Sequence, residues 1–263
     1  SGHTSGITDS GTLTIGGNLS ATTDAGNGVV DLGTLAVDGT VALTTHGSGD
    51  ATVVNDAALT FAASSVAGAL SATATTGNII DNATVTVGGN FAVTATADDA
   101  TVNLGTLAVD GTVALTTNGS SGNVTVVNDA GLAFAASTVD GTLSATATTG
   151  DISDSGAQTI LGAATYITSA TGSDIILDHT SNTYAAGVTF KADDGTETFG
   201  DLTFVDTGGI KLDSDKNSAG DFWIQAASGS GTVGGNLTLT SVTGNVTQGT
   251  ALTVGGTTSV TTS

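Results

Sequence analysis

The chain has 263 residues, 39 of them Gly, with no Pro, Cys or Met, and three Lys stand against 24 acids for a formal charge of −21. That charge repels nucleic acid and anionic lipid, which excludes nucleic-acid binding, and no apolar run approaches the roughly 18 to 20 residues that a membrane span needs. Glu197 is the single Glu; strong helix formers are scarce, whereas Val, Thr and Ile suit strands and Gly, Asn and Asp suit turns, so the composition predicts an all-β chain.

Three strand types recur along the chain. The first reads TLTI (12–15), TLAV (34–37), ALTF (58–61), TVTV (84–87), TLAV (106–109) and GLAF (131–134), alternating so that one face is apolar. The second follows a Gly, Asp or Ala corner at NLSA (18–21), TVAL (40–43), ALSA (69–72), NFAV (90–93), TVAL (112–115) and TLSA (142–145). A third, less regular, runs through VVDL (29–32), TVVND (52–56), NIID (78–81), TVNL (101–104), TVVND (125–129) and DISD (151–154). Above these lies a longer period, since LGTLAVDGTVALTTHGSGDATVVND from Leu32 returns from Leu104 as LGTLAVDGTVALTTNGSSGNVTVVND.

Three short strands and three corners in about 24 residues predict one coil of a parallel β-helix, a solenoid in which each unit buries its apolar face on its neighbours. Asp38-Gly39 and Asp110-Gly111 also carry a hairpin signal, but corners of variable length between fixed strands suit a solenoid better. Regular coils are expected over 1–177 and 236–263, with irregular coils and inserted loops over 178–235. Ser1 opens the chain with neither an initiator Met nor a signal-peptide pattern, and the expectation is a mature or excised portion of something longer. A rigid chain without disulfides is expected to be a secreted bacterial product, extracellular or at the cell surface.

The phrases GTLTIGGNL (11–19), GTLSATATTGDISDSG (141–156) and GNLTLTSVTGNVTQGTALTVGGTTSVTT (235–262) resemble the repeat regions of filamentous haemagglutinin-like bacterial exoproteins and adhesins. The resemblance implies a long, right-handed parallel β-helix displayed outside the cell, with calcium or carbohydrate contacts in inserted regions.

Residues 178–235 break the rhythm and hold all three Lys, the only Glu and the only Trp. Here Asp213, Asp215, Asn217 and Asp221 place oxygen side chains at a spacing that suits a hard cation such as calcium, without the sixth-position Gly and twelfth-position Glu of an EF-hand. Trp223 offers a face for a sugar ring. Asp193, Asp194, Glu197 and Asp201 have the form of paired carboxylates for glycoside hydrolysis, but the charge opposes a polyanionic substrate and acidic turns are the plainer reading. His3, His46 and His179 are dispersed, and His46 is Asn118 in the second copy, so none reads as a base or a metal ligand. Thr12 and Thr14, and Thr84 and Thr86, suggest an ice-binding Thr ladder that the intervening strands interrupt. The expected function is therefore structural and non-enzymatic: a repeat segment of an adhesin or surface filament that projects or polymerises a rod, with self-association end to end or surface glycans as partners. The alternative is a calcium- or glycan-binding module on a β-helix scaffold.

Overall fold

A computed structural model describes residues 6–24, 26–194, 198–212, 221–226, 229–230, 232–249 and 251–262, with the backbone alone for 212, 221–226 and 229–230. There is no helix among the described residues, and short strands pair in parallel from turn to turn. The chain divides into two compact units, Ser1–Asp129 and Ala130–Ser263.

In the first unit the strands form two sheets that the chain visits in alternation. One inward column on the first sheet runs Val30, Ala51, Leu70, Phe91, Val113, each beside the next in register. All five are at most 1 % exposed. Burying a large apolar side chain is worth roughly 1.5–3 kcal/mol, and strict alternation gives every turn several such residues, as in Ala51–Asn55 where positions one, three and five are buried. Phe61 meets Phe91 edge-on at 6.3 Å between ring centroids.

Partners in that column lie 19 to 22 residues apart. The parallel β-helix is as expected, but the turn is about 21 residues with two sheets, not 24 residues with three strands. The reason lies in which strands stack. TLAV (34–37) does lie on TLTI (12–15), Leu35 beside Leu13, whereas ALTF (58–61) lies on TVAL, Phe61 beside Val41. Strands alike in sequence are thus not always neighbours in space.

The long repeat makes this systematic. From Val30–Val37 the chain crosses between sheets seven times, through 40–44, 51–55, 59–66, 70–74, 79–87 and 91–98, before reaching the equivalent Val102–Val109. Seven crossings are three and a half turns, so the second copy lies on the opposite sheet. The same exchange holds for Leu13–Ile15 and Val85–Val87, and for Thr40–Thr44 and Thr112–Asn118.

Corners are closed by Asn and Asp. Asn18 Oδ1 accepts the Thr40 N–H at 2.9 Å, and Asn90 Oδ1 accepts that of Thr112 at 3.0 Å. Beside them a Cβ on Gly39 would stand 2.4 Å from the Gly17 carbonyl oxygen, and one on Gly111 2.4 Å from that of Gly89. These Asp-Gly pairs therefore serve close approach between turns rather than hairpins. A register shift between Leu32 and Leu35 leaves N–H groups outside the ladder. Asp9 of the preceding turn takes up the Thr34 N–H at 2.8 Å and its hydroxyl at 2.9 Å. Asp81 does the same for Gly105 and Thr106.

The second unit begins as regularly and then widens. Its column Leu132, Ile152, Ile175, Leu202, Leu237, Thr258 stays in register while the loops between members lengthen. A third small sheet appears at Thr198–Phe199, Thr232–Val233 and Thr253–Val254. Strand Asp221–Ala226 is interposed between Val188–Ala192 and Ile210–Leu212, and Gln225 and Ser230 pair antiparallel. One corner carries a relay along successive turns: Asp151 Oδ1 accepts from Asp174 N–H at 2.8 Å, Asp174 from Asp201 at 2.6 Å, Asp201 from Asn236 at 2.6 Å, and Asn236 from Thr257 at 2.9 Å.

Candidate functional site

Aligning the copies by backbone position isolates one place where the core changes chemistry. The Leu35 carbonyl accepts the Asp56 N–H, and the Leu107 carbonyl that of Asp129, each at 2.9 Å. In the third copy the same bond runs from Thr207 to Asn182 at 2.7 Å, so a buried amide stands where the other copies bury Leu. By the same strand positions Gln158 replaces Leu13 and Val85, and Tyr184 replaces Val37 and Val109. Asp206 replaces Asn55 and Asn128, the last residues of Ala51–Asn55 and Val124–Asn128.

These residues meet. Asn182 Nδ2 donates to Asp154 Oδ2 at 2.6 Å while its Oδ1 accepts the Gln158 N–H at 2.8 Å. Gln158 Nε2 donates to the carbonyls of Ala135 and Gly156, both at 2.8 Å, and its Oε1 meets no donor among the described residues. Asp154, the counterpart of Asp9 and Asp81, also accepts the N–H groups of Asp178 and His179 at 3.0 and 3.3 Å. The Tyr166 and Tyr184 hydroxyls lie 3.0 Å apart. Around them Phe190 stacks on Tyr166 at 5.8 Å, and Phe204 lies 5.0 Å from Tyr184 and 5.4 Å from Phe190.

Burial raises the carboxyl groups of Asp154 and Asp206 above the usual carboxylate range, for Asp154 against the opposing pull of Asn182 and the Asp178 and His179 amides. Burial likewise raises both Tyr hydroxyls. Asn182, Gln158 and Tyr166 are 0 % exposed. The arrangement can hold protons and fix neighbouring turns; a closed core of this kind offers a substrate no approach.

The residues singled out in the sequence fall elsewhere. Asp213, Asp215 and Asn217 lie outside the described residues, as do Glu197 and His3. Asp221 and Trp223 are described by backbone only, on Asp221–Ala226, with Trp223 in register with Thr189. Asp193 pairs with Lys191 at 3.3 Å, and Asp201 belongs to the corner relay. His46 Nδ1 meets the Thr23 carbonyl at 3.1 Å, and His179 Nδ1 accepts the Ser181 N–H at 3.2 Å. Thr14 stands beside Ala36, and Thr86 between Ser65 and Ala108, so the proposed Thr ladder is not formed by these residues. Among the described residues no group of three or more His, Asp or Glu side chains is placed to hold a metal. Open clefts occur at the outermost turns, one of about 280 Å³ lined by Leu237, Leu252, Val254 and Val260, another of about 410 Å³ by Ile7, Leu13 and Leu32.

No curated protein and no solved structure matches the chain. A family model does, over residues 48–99, 121–191 and 200–263, which together are well over half of the sequence. The chain therefore belongs to the family described as repeats of unknown function (DUF5649).

Proposed function

We propose that the chain is a structural repeat segment of an extracellular bacterial adhesin or surface filament, with no catalytic role, whose turns project or polymerise a rigid rod. The observation that carries this reading is the self-propagating register within each unit. Every turn presents the next with open parallel strand edges and with Asn or Asp oxygens aimed at its corner N–H groups, so length grows by adding copies. Aspartates of the first unit sit largely between strands, as at Asp24, Asp38, Asp50, Asp56, Asp99 and Asp110, where they keep the surface soluble and oppose fusion of strand edges. The likeness of GTLTIGGNL and GNLTLTSVTGNV to filamentous haemagglutinin-like repeats supports placement outside the cell.

Negative-stain electron microscopy of the native material, with calcium and again with chelator, tests the proposal. Long, thin, unbranched rods in both conditions are expected. Compact single particles in both would overturn it. Rods that shorten or fray with chelator would favour the rival reading, a calcium- or glycan-binding module working through Asp213, Asp215, Asn217 and Asp221, with loss of glycan binding in Trp223→Ala as its second sign.

A further inference from the structure

One position in the three copies differs in protonation chemistry as well as in size. Asn55 spans both backbone groups of one residue in the turn before it: Oδ1 accepts the Val37 N–H at 2.9 Å and Nδ2 donates to the Val37 carbonyl at 3.0 Å. Asn128 treats Val109 alike, at 2.8 and 3.0 Å. A primary amide can do this because it carries a donor and an acceptor side by side. Asp206 stands in the same place and accepts the Tyr184 N–H at 3.2 Å. An ionised carboxylate has no proton to return to the Tyr184 carbonyl, whereas a neutral carboxylic acid has the same donor and acceptor pair as the amide.

We propose that Asp206 is a proton-operated clasp, which when neutral reproduces the two-bond bridge of Asn55 and Asn128 and so tightens strand Thr183–Tyr184 against strand Leu202–Asp206, and which loosens that junction on ionising. The surroundings favour such a device. Asp206 is 2 % exposed. From the preceding turn Tyr184 faces it, with Tyr166 behind at the paired hydroxyl and Asp154 on the same network. The Thr207 and Gly208 amides turn toward it from its own corner. Its partner on the following turn is Ser241, which is buried and uncharged and donates to the Gly208 carbonyl at 2.7 Å. Lys211, on the next strand, is exposed.

Because burial raises the Asp206 carboxyl, the folded chain holds this proton at pH values where the unfolded chain has released it. The stabilisation is fully present below the unfolded carboxyl value of about 3.9 and is lost as pH rises through the higher folded value. Acidification from neutrality therefore tightens this turn.

Amide hydrogen exchange of the full chain between pH 4 and 7, corrected for intrinsic rates, tests the clasp. In the unaltered protein, protection of peptides covering 183–184 and 202–206 should rise about fivefold on acidification, the effect of one added hydrogen bond. Asp206→Asn should hold the acid level of protection throughout, since Asn is the resident of the other two copies. The reciprocal change Asn128→Asp should install the same pH dependence at Val109 in the first unit. Protection that falls on acidification, or an Asp206→Asn chain that keeps the pH slope of the parent, would overturn the proposal. So would an Asn128→Asp chain with no slope of its own.

Discussion

The first and third copies of the repeat use one backbone plan with two kinds of core. In the first unit the inward positions are Leu35, Val37, Leu13 and Asn55; in the second they are Asn182, Tyr184, Gln158 and Asp206. The acid that covers the register shift shows the contrast most sharply. Asp9, at the surface, is held below the usual carboxylate range by the Thr34 amide and hydroxyl, whereas Asp154, half-buried beside Asn182, is held above it. The comparison teaches that a solenoid ladder is indifferent to what fills it so long as volume and hydrogen bonds are met, and that hydrogen bonding or burial then decides the sign of each group's response to pH.

Removal of a shared element should separate the copies most. Asn128→Ala strips a buried residue of its bridge and leaves both polar groups of Val109 facing a void, with an expected loss of about 2–4 kcal/mol in urea unfolding. Asp206→Ala should cost clearly less at neutral pH, since the ionised clasp is already half open; equal losses would break the comparison. Tyr166→Phe removes one partner of the 3.0 Å hydroxyl pair and should cost about 1–2 kcal/mol, the penalty of a buried hydroxyl left without its mate.

Smaller effects sharpen the pH contrast. The contribution of Asp9 is present above the unfolded carboxyl value and is lost as pH falls through its lowered folded value. That of Asp154 is present below the unfolded value and is lost as pH rises through its raised one. Hydrogen exchange read peptide by peptide should show protection around Thr34 weakening in acid, while that around Asp178 and His179 strengthens. Asp154→Asn should flatten the second trend and leave the first. Lys191→Ala, which removes only the exposed pair with Asp193, should shift stability by less than about 0.5 kcal/mol.

Much of the architecture was legible. Alternation in TLTI and TLAV announces strands with one buried face, and GGN and DGT mark corners where a side chain would strike the turn below. The length of a turn was not legible, because aligning like strands counts residues per sequence unit and not per turn. When a repeat closes after a half-integral number of turns those two counts cannot agree. The polar core was visible in principle, as Gln158, Asn182 and Asp206 fall in phase with buried positions of the earlier copies. The longer loop before Asn182 hides that phase, and rare residues such as Trp223 draw attention away from common ones in unusual places.

The exchange of sheets between copies bears on how such a chain can evolve. Near-identical stretches such as 32–56 and 104–129 invite unequal recombination, and gain or loss of one copy still joins strand to compatible strand, so folding survives the event. Each such event nonetheless delivers everything that follows onto the opposite sheet, and a second event restores it. Copy number in this architecture thus carries parity, odd or even, and selection on what a surface displays can act on that parity without altering a single side chain.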